Sequence, residues 1–205
     1  MNGTNRVSKE REAGKVGEAQ GALWKEYIKA GVVALALALF IRAFVAQAFK
    51  IPSESMVPTL LVGDHLLVNK IVYRIWEPQR GDIIVFEYPM DPSRDFVKRA
   101  VGLPGEVVEV KGDTVYINNQ PLKEPYAFYE KTHPFGGQDN YQWGPYKVPA
   151  GHLLMLGDNR NNSQDSRVWG PLDMRHIHGR AFIIHWSWKD SAFGVRWDRV
   201  GKLLR

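Results

Sequence analysis

The chain has 205 residues, with 27 Lys+Arg against 22 Asp+Glu, a formal charge of +5, an apolar fraction of 44% and no cysteine. The apolar content excludes a disordered or collagen-like chain, and the missing cysteines exclude a disulfide scaffold, thiolate metal sites and a cysteine nucleophile. The mild basic excess suits anionic lipid as readily as nucleic acid and decides for neither.

Residues 1–26 read as a polar tail of mixed charge. From Ala30 to Phe49 the sequence is AGVVALALALFIRAFVAQAF, in which only Arg42 and Gln47 are polar. At the helical rise such a run spans about 30 Å, the thickness of a bilayer's hydrocarbon layer. Trp24 and Tyr27 stand one turn earlier, where an interfacial belt belongs. One transmembrane anchor helix over 27–49 is therefore expected. A buried helix of a soluble domain stays open as an alternative, as does a cleaved secretory signal ending at Ala46-Gln47-Ala48. Against the signal stand a long polar leader and Arg42, placed between the apolar core and the cleavage site. Arg6, Lys9, Arg11, Lys15, Lys25 and Lys29 precede the apolar run, whereas only Lys50 and Lys70 fall in the twenty-one residues after it. The positive-inside rule then keeps the N-terminus in the cytoplasm and sends residues 50–205 across the membrane.

The exported part is long enough for one sizeable core and is patterned mostly as strand. GDIIVFEY (Gly81–Tyr88), EVVEV (Glu106–Val110), LLML (Leu153–Leu156) and RAFIIHW (Arg180–Trp186) are the strand candidates. Gly112-Asp113 separates EVVEVK from TVYI as a hairpin turn. Residues Lys123–Pro149 are rich in Pro, Gly and Tyr and read as loop, within a variable subdomain over 105–152. The expected fold is mainly β: antiparallel sheets in a compact globule with a small loop-rich β insertion, tethered by one N-terminal transmembrane helix.

Three segments carry residues capable of chemistry. In Phe49-Lys-Ile-Pro-Ser-Glu-Ser-Met-Val-Pro-Thr-Leu60, two serines lie between prolines that restrict the backbone, as a fixed nucleophile requires. Serines near prolines are also ordinary polar turns. None of the six histidines sits in a triad signature, and His176-Ile-His178 reads as a solvated turn. Lys98, in DFVKRAVGLPG, is apolar on both sides, and desolvation there would favour a neutral amine able to act as a base. Arg99 would point to the opposite face of the strand and stay solvated. The third segment, Gly157-Asp-Asn-Arg-Asn-Asn-Ser-Gln-Asp-Ser-Arg-Val-Trp-Gly170, is a dense polar loop. Asp165 and Arg167 can pair there, and Ser163 can orient a lysine amine. Alone it reads equally as a solvated loop or an oxygen-ligand calcium site, without EF-hand spacing.

Taken together, PSESMVPTL (Pro52–Leu60), KRAVGLPGE (Lys98–Glu106) and GDNRNNSQDSRVWG (Gly157–Gly170) closely resemble the motif boxes of bacterial type I signal peptidases, in the same order and after an N-terminal anchor. With GDHLLVNK (Gly63–Lys70) and GDIIVF they cover a little over a fifth of the chain. The resemblance implies a membrane-anchored serine endopeptidase with Ser55 as nucleophile and Lys98 as general base. It implies an oxyanion hole from Ser53 and the Ser55 amide, with Ser163 orienting the lysine and Asp165 and Arg167 in support. Phe49, Ile51, Met56, Leu60, Phe96 and Val97 fall where the family lines shallow pockets for small residues (Ala-x-Ala) of a preprotein. No cofactor and no metal are implied. The partners are secretory preproteins and the lipid bilayer, with no nucleic acid, and the location is the bacterial cytoplasmic membrane. One departure is Asn161, where the family box usually carries Asp.

A self-cleaving repressor with a Ser/Lys pair would need a helix-turn-helix where this chain has its apolar run. A non-catalytic tethered module would not need every catalytic position, and all are present. Lys189–Arg205 holds five basic against two acidic residues, which anionic lipid explains as well as DNA does. Trp186, Trp188, Phe193 and Trp197 suit either an interfacial contact or ordinary packing.

Overall fold

The computed structural model describes residues 24–39, 46–129, 141–189 and 194–204. The tail over 1–23, Arg42 with the rest of 40–45, the middle of the loop-rich stretch (130–140) and Phe193 lie outside the described residues. Residues 24–39 are α-helix, α1. Among the described residues no helix is long and apolar enough to cross a membrane. The end of the expected anchor is strand: Ala46–Lys50 forms β1, whose backbone is paired residue by residue with Asp64–Asn69, β2. Hydropathy alone gave no sign of this switch, because small and apolar residues satisfy either conformation.

The run Ile83–Tyr88 forms β3, and its first four residues are apolar because it is covered on both faces. Ile83 and Val85 pack with Ile51, Met56, Leu60 and Leu66 on one side. Ile84 and Phe86 pack with Ala100, Leu153, Met155 and Leu172 on the other. Beside β3 lie Asp91–Gly102 (β4) and Ile177–Ser187 (β11), both antiparallel to it. With His152–Leu156 (β9) and Leu172–Asp173 (β10) the sheet runs β1-β2-β11-β3-β4-β9-β10, and Lys202–Leu203 (β12) pairs with β11. Short helices Val72–Ile75 (α2) and Ser166–Trp169 (α3) connect its strands.

A second sheet accounts for the expected subdomain. Val107–Lys111 (β5), Thr114–Ile117 (β6), Gln120–Pro121 (β7) and Gln142–Lys147 (β8) assemble in the order β7-β6-β5-β8. Lys111 faces Thr114 across the turn, and Gly112 takes φ of 56°, as a tight hairpin demands. Its apolar face, Val108, Val110, Val115 and Ile117, packs on Val101, Leu154 and Leu156 of the large sheet. The mainly β, antiparallel reading holds.

The C-terminal segment is fastened by a buried ion pair. Asp64 is fully buried and receives Arg199 Nη2 at 2.5 Å, Ser187 Oγ at 2.7 Å and the Leu61 amide at 2.9 Å. Burial opposes the charge, but the hydrogen bonds from Arg199, Leu61 and Ser187 hold its pKa below the ordinary aspartate value. A lowered folded pKa means that this stabilisation is present above the unfolded value and fades as pH falls through the folded one. Arg199→Ala leaves the carboxylate buried without its cation, and a loss of about 3–5 kcal/mol is expected in urea unfolding at pH 7. The deficit should shrink as the pH is lowered toward 3, where the orphaned acid is neutral.

Candidate active site

The site forms where the open half of β4 meets two loops. β4 pairs with β9 only from Arg99 onward, so among the described residues Asp91–Lys98 carry no strand on that edge. The serine segment crosses at this point. Lys98 Nζ donates to Ser55 Oγ at 2.5 Å, and both side chains are buried, Lys98 at 3% exposure. Removal from water dominates the amine's titration and pushes its pKa down to about 8; Asp165 and Asp158 pull upward, and Arg167 pushes further down. About a tenth of such an amine is neutral at pH 7, against one in a few thousand for a free lysine. The Ser53 hydroxyl lies 3.4 Å from that of Ser55. The Ser55 amide donates to no acceptor among the described residues.

A cleft of about 360 Å³ opens over the pair. Phe49, Ile51, Met56, Phe96 and Val97 line it as expected, together with Pro52, Arg94, Asp95, Asn162 and Gln164. Leu60 does not line it. Its side chain is fully buried in the core beneath, because the turn after Met56 carries it under the serine segment.

Asp165 caps α3 and holds Arg167 by two bonds of 2.9 Å, the pair expected from the sequence. The Gly157 amide donates to the same carboxylate at 3.1 Å. Ser163 is placed otherwise than expected. Its oxygen is shut off from solvent and has no hydrogen-bond partner among the described residues, so the contact orienting Lys98 is not made here. Asn162 and Gln164 face the cleft, whereas Ser163 and Asn161 line a second cavity of about 330 Å³ behind the loop.

Arg99 also departs from the reading above. It does lie on the opposite face from Lys98, but it is 1% exposed instead of solvated. Its guanidinium binds Asp158 through Nε at 2.8 Å and Nη2 at 2.7 Å, and Thr59 Oγ1 donates to the same carboxylate at 2.5 Å. The histidines of the 176–178 segment end a 3₁₀ turn and begin β11 instead of forming a solvated turn. His176 contacts Glu87 and His178 contacts Asp95, at 2.9 and 2.8 Å.

Six positions around the site were not found by pattern. Asp158 and Arg99 are 59 residues apart, and no local spacing links them. Arg160 is buried and doubly bonded to Glu124 at 2.8 and 2.6 Å, which ties the loop to the small sheet's connection. Asn159 donates from its amide to Ser55 O at 3.1 Å and from its side chain to Glu54 O at 3.3 Å, fixing the backbone of the serine segment. Gly157 permits this approach, since a Cβ there would stand 2.5 Å from Ser55 O and 2.2 Å from Ser163 Oγ.

The arrangement sets a buried amine against a hydroxyl, beside a backbone N–H that donates to no acceptor among the described residues. Residues 24–186 match the family model described as signal peptidase, peptidase S26. The chain is 50% identical over 168 residues to signal peptidase I of Leptolyngbya laminosa, covering 78% of this chain and 79% of that protein. It is 44% identical over 169 residues to probable signal peptidase I-2 of Synechocystis, covering 80% and 73%. A crystal structure of a signal peptidase I from Enterococcus faecalis is 35% identical, with a TM-score of 0.44, covering 52% of this chain and 97% of that one. The chain belongs to the signal peptidase family, peptidase S26, and is accordingly a hydrolase that removes signal peptides from secretory preproteins.

Gly157→Ala is expected to keep the fold while separating the serine segment from the polar loop. Cleavage of a preprotein should fall at least tenfold, with circular dichroism unchanged.

Proposed function

We propose that the chain cleaves preproteins after Ala-x-Ala sequences at the outer face of the bacterial cytoplasmic membrane, with Ser55 as nucleophile and Lys98 as general base. The observation that carries this reading is the 2.5 Å contact between a buried amine and a buried hydroxyl at the floor of the cleft. Neutral Lys98 takes the proton as Ser55 Oγ attacks the scissile carbonyl. The Ser55 amide and the Ser53 hydroxyl receive the developing oxyanion, each donor contributing about 3 kcal/mol. The acyl-enzyme is then opened by water that the same amine deprotonates. No step calls for a metal or cofactor.

The open edge of β4 suits a substrate in extended form, since its unpaired backbone can continue the ladder. Shallow apolar walls from Phe49, Ile51, Met56 and Val97 suit small side chains at the first and third positions before the cut. Asp165 and Arg167 support the loop around the amine. The anchor rests on the apolar run that begins at Ala30 and gives way to β1 at Ala46, nine residues before Ser55. The edge-to-face cluster of Trp186 with Trp188 and Trp197, 5.5 and 5.7 Å between ring centres, leaves Trp197 70% exposed and suits an interfacial contact. The basic run before the anchor suits a cytoplasmic N-terminus.

Ser55→Ala and Lys98→Ala should each lower preprotein cleavage in detergent by roughly a hundredfold or more without loss of fold. Near-normal cleavage by Lys98→Ala would overturn the assignment of the base. Because the base acts in its neutral form, wild-type kcat/KM should climb with pH through about 8 and level off above. A flat profile between pH 6 and 10 contradicts it.

A further inference from the structure

Lys98, Phe96 and Arg94 alternate along one face of β4 and form a stack. Lys98 Nζ lies 5.2 Å from the centre of the Phe96 ring, and the Arg94 guanidinium lies 5.5 Å from the same centre. Tyr88 stacks flat on Phe96, 4.1 Å away at an interplanar angle of 6°, and Arg94 lies 5.9 Å from its ring as well. The guanidinium thus rests against an aromatic platform at the lip of the cleft. It makes no salt bridge or side-chain hydrogen bond among the described residues. The nearby Asp91 carboxylate is bonded instead by Ser93 Oγ at 2.6 Å and feels Arg94 only as a minor influence. Asp95, the next residue, is engaged by His178. A planar cation already held by aromatic rings, with its N–H donors unspent, loses little freedom on meeting an acceptor.

The position of this cation relative to the cut is fixed by strand geometry. Arg94 precedes Lys98 by four residues, or roughly 13 Å along an extended strand. The apolar walls at Phe49, Ile51 and Val97 place the residues before the scissile bond on the Arg94 side of Ser55. A peptide continuing along β4 therefore brings its fourth to sixth residues before the cut (P4 to P6) to the guanidinium. We infer that Arg94 is a specificity-determining contact that favours an acidic or acceptor side chain in this stretch of the substrate and disfavours a cationic one. The inference rests on the reading that Ser55 and Lys98 perform the cleavage.

Peptide substrates with one fixed cleavage motif and Glu, Gln or Lys at P4, P5 or P6 test it, using the full chain in detergent. At one of these positions the wild type should favour Glu over Lys in kcat/KM by roughly fivefold, mostly through KM, and 1 M salt should erase the preference. Arg94→Gln should flatten the ratio and Arg94→Glu invert it. The ratio is read within each enzyme, so partial unfolding of a variant cancels. If Arg94→Glu keeps the wild-type ratio at all three positions while Ser55→Ala is inert, the inference alone falls. It also falls if Arg94→Glu alters only binding to vesicles of anionic phospholipid, which would make Arg94 a lipid contact. Should Ser55→Ala cleave the whole series like the wild type, the reading of the site falls and the inference with it.

Discussion

One buried carboxylate joins the three segments on which the site depends. Asp158 is fully buried and is reached by Arg99 from β4 and by Thr59 from the serine segment, while its own backbone belongs to the loop after β9. Fifty-nine residues separate it from Arg99 and ninety-nine from Thr59. An ion pair so far from water adds little net stability over a well-packed apolar pair, but a single missing partner is severely destabilising. Its service is therefore alignment. Arg99 follows Lys98 and Thr59 follows Ser55 by four residues, so fastening both to one carboxylate fixes where the amine and the hydroxyl stand. The Arg99 guanidinium also lies 3.9 Å from the Tyr126 ring, which brings the connection after β7 into the same arrangement.

Much of this was legible from residues. The strand candidates over 81–88, 106–110, 153–156 and 180–186 were readable because β-branched runs bounded by Gly, Pro and Asp have few other uses. The hairpin at Gly112-Asp113 followed from turn chemistry alone. Ser55 and Lys98 carried weak signals singly and became a pair only through the order of three boxes. Arg99, Asp158 and Glu124 stayed hidden because a buried ion pair between distant segments leaves no periodicity and looks like solvated charge in the sequence. Leu60 was assigned to the cleft wall by position in a box, whereas the turn after Met56 carries it into the core. Hydropathy likewise carried the anchor to Phe49, although Ala46–Lys50 pair as strand with β2.

The electrostatics around Lys98 explain why so many charges are buried near a group that must lose its own. Asp158 and Asp165 both favour the charged amine, and either one standing bare in a low-dielectric site would oppose desolvation strongly. Each is instead covered by a guanidinium, Asp158 by Arg99 and Asp165 by Arg167. From the amine's position such a pair is close to a dipole, whose influence declines faster with distance than a lone charge. Burial is left as the largest influence, and the pKa settles at about 8. The carboxylates can then serve the backbone, Asp165 by capping α3 and receiving the Gly157 amide, without keeping the lysine protonated. The arginines thus make it compatible to hold a loop rigidly with buried acids and to keep the Lys98 pKa lowered within reach of Ser55. A lysine at position 99 or 167 would satisfy charge but not geometry, since only the fork of a guanidinium can grip both carboxylate oxygens in parallel.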